Sequence, residues 1–218
     1  MVNLSIFKVV CNFLEKSLVR FGMLIIISIL LGTFPADCTP VNSTEETVEL
    51  QILAFNDFHG QIEPPSGSEI LYYNASNYPF KAELGGAAYL ATLIKGLKAT
   101  NPNTAIVSAG DCIGASPLVS ALFHDESTVE VLSKIGLEYS AAGNHEFDEG
   151  VSELQRMQYG CCHHEDGCQD GDRFVGAGYY YLTANVINNS TNSTLFAPYA
   201  VREIEGIPVA FIGVSLKD

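Results

Sequence analysis

Short apolar runs alternate with longer segments of helical period along this chain. VELQILAF (48–55) and TAIVSAG (104–110) are mostly apolar and short, the pattern of strands buried on both faces. YSAAGNH (139–145) reads as a short strand running into a loop. GGAAYLATLIKGLKAT (85–100) places apolar residues at 87, 90, 91, 94 and 97, a helical spacing that NPN then stops. STVEVLSKIG (127–136) predicts a helix ending at Gly136, with Ser127 as a candidate N-cap. A third helix is expected over 150–158, and YYYLTANVI (179–187) reads as a strand. The pair AVREIEG and IPVAFIGVS (200–215) reads as a hairpin turning at Glu205-Gly206. Strand, loop and helix thus repeat in order, which implies an α/β fold with at least three parallel strands. No internal repeat is visible.

The first 38 residues follow another pattern. Lys8, Lys16 and Arg20 precede FGMLIIISILLGTF (21–34), a run of signal-core length. It is short for a membrane span of about 20 residues. Residues 1–38 are therefore read as a signal peptide or signal anchor, 39–47 as a linker, and 48–218 as the domain. Any membrane association would run through that leader alone. Five N-x-S/T sequons beyond the leader, at Asn42, Asn74, Asn188, Asn189 and Asn192, fit export and glycosylation, although such triplets also arise by chance in Asn-rich loops. Four cysteines follow the leader, and an oxidising compartment would let them pair. The formal charge of −14 argues against an extended nucleic-acid partner. It leaves room for a small anionic substrate, because a bound divalent cation inverts the local field.

Three polar clusters follow three of the expected strands: Asn56-Asp57-Phe58-His59, Gly110-Asp111, and Gly143-Asn144-His145-Glu146-Phe147-Asp148. Parallel strands bring such loops to one edge, where ligands of open α/β sheets sit. Asp57 and His59 alternate, so an extended segment would aim both at one face. Asp111 offers two oxygens, enough to bridge two ions, and Asn144 a neutral carbonyl oxygen. Mixed oxygen and nitrogen donors suit Zn, Mn or Fe. Taken alone, Asp57 and His59 are equally a turn-capping acid and a surface histidine; the other two clusters weigh against that.

The ordered set D-x-H, GD and GNH[DE], carried here by ILAFNDFHGQIEP, VSAGDCIGASP and GNHEFDEG, resembles the calcineurin-like metallophosphoesterases. The longer matches are similar to the secreted 5′-nucleotidase and UDP-sugar hydrolase branch, over about residues 50–215. The resemblance implies a two-sheet αββα sandwich and a pair of divalent ions, Zn, Mn or similar. Asp57 and His59 would hold one ion, Asn144 the other, and Asp111 would bridge them. His145 would face the phosphate, with Asp148 orienting it and keeping it protonated, while Glu146 faces away from the metals. The implied reaction is hydrolysis of phosphate monoesters of extracellular nucleotides. Cyclic 2′,3′-phosphodiester or UDP-sugar hydrolysis are the alternatives within the branch. Similar family loops carry a disulfide with the Cys162–Cys168 spacing, and Cys161–Cys168 stays open as an alternative. The family also draws three further ligands, mostly histidines, from downstream loops, whereas the last histidine here is His164. The domain is therefore expected to be incomplete at its C-terminus, and a catalytically incomplete binding domain is the competing reading.

Several residues have blander readings. His124 is expected at a helix end or on the surface. CCHHEDGC (161–168) is read as a disulfide loop before a Cys/His metal cluster. Cys112 is expected to be a packed thiol, and Tyr179–Tyr181 to be strand core.

Overall fold

The computed structural model describes residues 5–12, 47–65, 69–72, 79–82 and 85–216. The chain divides into two compact units, residues 1–8 with 50–218 and residues 9–49. The apolar run 21–34, most of the expected linker, and the sequons at Asn42 and Asn74 lie outside the described residues. No helix among the described residues is long and apolar enough to cross a membrane.

The main sheet has five strands. Its strands are β1 (Ser5–Asn12), β2 (Thr47–Phe55), β5 (Thr104–Ser108), β6 (Tyr139–Ala141) and β7 (Tyr180–Leu182), lying side by side in that order. The pairs β2/β5, β5/β6 and β6/β7 are all parallel. β1 falls inside the segment read as a leader. Three antiparallel ribbons accompany the sheet: β3 (Glu69–Tyr72) with β4 (Pro79–Ala82), β8 (Ile187–Asn188) with β9 (Ser193–Thr194), and β10 (Tyr199–Ile204) with β11 (Ile207–Ile212). This is the mixed α/β architecture expected from the alternation of apolar runs.

Helices α1 (Ala87–Lys98), α2 (Leu118–Ala121), α3 (Glu126–Ile135) and α4 (Val151–Tyr159) fill the connections. α1 buries Ala87, Leu90 and Ile94, the stripe its spacing predicts. That stripe joins Leu53, Phe55, Ile106, Val129, Leu132, Leu154 and Met157 in one core.

Two local expectations differ from the structure. α3 begins before Ser127, with Asp125 at its N-cap position in a left-handed conformation, φ 60°. Asp125 is held there because its buried carboxylate accepts hydrogen bonds from the Gly114 N–H (3.0 Å) and the Ser120 hydroxyl (2.5 Å). The run 179–187 is not one strand. β7 stops at Leu182, and the Thr183 N–H turns to the carbonyl of Ala197 at 3.0 Å. Tyr179 and Tyr181 are buried, whereas Tyr180 is exposed.

A candidate metal centre at the carboxyl edge of the sheet

The register fixes which loops meet. Phe55 pairs with Ser108, and Ser108 with Ser140, so β2, β5 and β6 release their loops at one edge. The first loop is then hooked to the second by the main chain. Asp57, His59 and Gly60 donate their N–H groups to the carbonyls of Gly110, Asp111 and Cys112, at 3.0–3.1 Å. This changes the local geometry from the one expected. The segment is not extended: Asp57 and His59 both adopt left-handed backbone, with φ of 53° and 44°. The three hooks impose that shape, and the two side chains converge through a turn instead of by strand alternation. Asp111 is left-handed as well, φ 52°. Such strain on non-glycine residues costs about 1–3 kcal/mol each and collects at functional sites.

Side-chain atoms of Asp57, His59 and Asp111 lie within 4.8 Å of one another. The His59 Nδ1–H donates to the carbonyl of Gly114 at 2.9 Å. That bond fixes the tautomer, leaving the Nε2 lone pair on the side of Asp57 Oδ1, 3.8 Å away. Asn56 Nδ2 donates to the other Asp57 oxygen. The Asp111 carboxylate accepts the N–H of His145 at 2.9 Å through Oδ1. Gly143 makes this approach possible, since a β-carbon there would sit 2.2 Å from that oxygen. Asn144 stands between Gly143 and His145, exposed, so the main chain on both sides of it is seated against Asp111.

Beneath this edge lies a residue whose part the sequence did not announce. Glu146 is 3 % exposed. Its carboxylate accepts three main-chain N–H groups, from Asp111 (2.8 Å), Cys112 (2.8 Å) and Gly143 (2.6 Å). Burial pushes its pKa up to about 7, while those N–H groups pull the other way. Glu146 therefore staples the second and third loops together. No periodicity flags a buried acid in a polar run; its only signal is its place inside the third motif.

His145 and Asp148 sit on the turn that follows. The His145 Nδ1 meets Asp148 Oδ2 at 2.9 Å. This hydrogen bond raises the His145 pKa above its usual value, with smaller contributions from the Asp148, Asp111 and Glu146 charges. The ring stands edge-on to His59, with centroids 4.9 Å apart. Five of the residues singled out from the sequence, Asp57, His59, Asp111, His145 and Asp148, are thus linked by direct contacts at one edge, with Asn144 carried between two of them.

The remaining residues fall elsewhere. Cys162 and Cys168 are joined as a disulfide, leaving Cys161 free and exposed. Cys112 is a buried thiol beside the Ser108 hydroxyl, and burial drives its pKa far upward. Asn189 and Asn192 are exposed at the β8–β9 ribbon, whereas Asn188 is half-buried and its side chain accepts the N–H of Ser190. His124 is not a plain surface histidine: its ring stacks on His163 at 3.7 Å and faces Glu149 and Asp166.

Residues 50–203 match the family model of the calcineurin-like phosphoesterases. The chain is 46% identical over 173 residues to a protein of Acinetobacter calcoaceticus described as "Uncharacterized protein in pqq-V 5'region", covering 77% of this chain and 84% of that one. It is 38% identical over 205 residues to the cell wall protein Lmo0130 of Listeria monocytogenes, covering 88% of this chain and 25% of that protein. Among solved structures, the NAD nucleotidase NadN of Haemophilus influenzae superposes with a TM-score of 0.59 at 26% identity, covering 77% of this chain and 26% of that one. The chain thus spans about a quarter of the length of the last two.

Proposed function

Because this chain belongs to the calcineurin-like phosphoesterase family, we propose that it hydrolyses phosphate monoesters of extracellular nucleotides with the help of two divalent cations. The observation that carries this reading is the convergence of Asp57, His59 and Asp111, three left-handed residues whose ligand atoms lie within 4.8 Å of one another. The donor set fits such ions: carboxylate oxygens and one imidazole nitrogen with its tautomer fixed, with Asn144 carried on the main chain seated against Asp111. Asp57 and His59 would hold one ion, Asn144 the other, with Asp111 shared. Bound there, divalent cations supply Lewis-acid charge and a water of lowered pKa.

The chain's own groups do the rest. Glu146 fixes the Asp111 main chain, so the shared carboxylate does not have to be organised during turnover. His145 donates its Nδ1–H to Asp148, and its imidazolium form would offer the Nε2 proton to a phosphoryl or leaving-group oxygen. The Asp148 hydrogen bond raises the His145 pKa and so favours that imidazolium form. Proximity to the nucleotidase NadN supports a nucleotide as substrate. Resemblance to a cell wall protein, together with the disulfide and the exposed sequons, supports a location outside the cytoplasm.

Phosphate release from AMP with added Mn²⁺ or Zn²⁺ tests the reading. Metal-dependent release that disappears in Asp111→Asn is expected; release unaffected by chelation or by that substitution would contradict it. A second reading, a binding domain without turnover, draws on the unequal ligand supply, since in the assignment above Asp57, His59 and Asp111 serve one ion while Asn144 and the shared Asp111 are left for the other. One weakly held ion and no phosphate release would favour it.

A further inference from the structure

The carboxyl edge of the sheet is also met by a segment that lies outside the three motifs. Ala141 pairs with Leu182, so β6 and β7 end side by side, and Ala142 opens the loop that carries Asn144. The residues that follow β11, Gly213 to Ser215, lie against those strand ends. Gly213 is packed so closely that a β-carbon there would sit 2.1 Å from the Leu182 carbonyl oxygen. Glycine lets two main chains approach this far. The Gly213 carbonyl in turn accepts the Ala184 N–H at 2.7 Å.

Asn185 then grips Ser215 at both of its main-chain groups. Its Oδ1 accepts the Ser215 N–H at 2.8 Å, and its Nδ2 donates to the Ser215 carbonyl at 2.7 Å. A side-chain amide used this way imitates a neighbouring strand and fixes the direction in which the Ser215 side chain leaves the main chain. Ser215 is buried, and its hydroxyl donates to the carbonyl of buried Ala142. The main chain around Asn144 is therefore held at Ala142 by Ser215, at Gly143 by Glu146 and at His145 by Asp111. Glu146 and Asp111 belong to the motifs, whereas Asn185 and Ser215 reach the loop only through the fold.

We propose that Asn185 and Ser215 are positioning residues for Asn144: Asn185 sets Ser215, and the Ser215 hydroxyl sets the start of the loop that presents the Asn144 side chain. This role rests on the assignment of Asn144 to an ion. Asn144 is exposed, so its placement comes from the main chain beneath it. A ligand needs holding to within about 0.5 Å, and the groups that orient ligands from behind are worth about 10–100-fold in metal affinity.

Zn²⁺ titration of the ¹⁵N-labelled chain, followed by chemical shift, separates the two sides of the centre. The Asn144 side-chain amide reports one side and the His59 ring the other. Ser215→Ala removes a single hydroxyl, and Asn185→Ala removes the grip on Ser215; circular dichroism checks that each variant is folded. In both, Asn144 is expected to need about tenfold more Zn²⁺ than in the parent, with the His59 response unchanged. General loosening of the fold would move both residues together. That result, or an unchanged Asn144 response in both variants, would overturn the proposal. The metal-free chain supplies a second arm. The His145 N–H, which Asp111 accepts, should exchange with solvent about fivefold faster in the variants, while the amides of α1 keep their parent rates. If Asn144 does not respond to Zn²⁺ in the parent, its assignment to an ion fails, and these exchange rates alone decide the positioning role. Equal His145 rates in parent and variants would then overturn it.

Discussion

At the sheet edge, the positions of Asp57, His59 and Asp111 are set by main-chain hydrogen bonds and left-handed turns. On the helical flank, positions are set by side chains. Arg156 joins Glu126, both oxygens of Glu153 and the carbonyl of Cys161, with its guanidinium over the ring of Phe174. The difference separates what substitution can remove. A side chain at the edge can change while the main chain that carries it stays in place. A charge on the flank is itself the fastening, and its loss leaves partners buried and unpaired.

Asp111→Asn should break the comparison most sharply on the side of chemistry. Metal-dependent phosphate release should fall by on the order of 10²–10³-fold, the range seen when one preorganised charged or polar partner is lost. The urea midpoint should move little, because no described fold contact beyond the His145 N–H depends on its carboxylate. Arg156→Met should do the reverse. It strands Glu126 and Glu153, whose side chains are only 12% and 11% exposed. Breaking a buried pair costs about 3–5 kcal/mol, read as a large drop in the urea midpoint.

Glu146→Gln tests the staple that lies between the two regimes. An amide offers one acceptor oxygen where three N–H groups converge, so a loss of about 1–3 kcal/mol is expected. The pH dependence sharpens this. With a folded pKa near 7 against an ordinary 4.5, the native state binds a proton that the unfolded state releases. Stability from this group is therefore greatest at low pH and declines between about 4.5 and 7. Denaturation across that range should show the slope in the parent chain, and Glu146→Gln should flatten it.

The smallest effect belongs to His145. Its raised pKa means that the His145–Asp148 pair contributes stability below the usual histidine value of 6.5 and loses it as pH rises through the folded value. An NMR titration of the metal-free chain should place His145 above 6.5, and Asp148→Asn should bring it back toward that value.

These two regions also differ in how far the sequence discloses them. The edge was legible because each loop directly follows an apolar strand, and each carries its chemistry within a few residues: Asp57 with His59, Asp111, and Asn144 to Asp148. Parallel pairing supplied the rest. What was misjudged there was conformation, since the hooks from Gly110, Asp111 and Cys112 impose turns that residue types do not reveal. The flank was illegible for a different reason. Glu126, Glu153, Arg156 and Cys161, like His124, Glu149 and His163, meet only after α3, α4 and the disulfide loop pack, and no spacing in the chain relates them. Glu146 combines both cases, sitting inside a readable motif while acting on a loop 34–35 residues away.

The central claim is that the side chains at the sheet edge form one cation-binding centre around Asp111. Adding Mn²⁺ to the ¹⁵N-labelled chain and following the histidine ring resonances tests it directly. The account predicts that His59 and His145 broaden together at low Mn²⁺ and that Asp111→Asn abolishes this while the chain stays folded. Equal broadening with and without the Asp111 carboxylate, or none at His59, would contradict it.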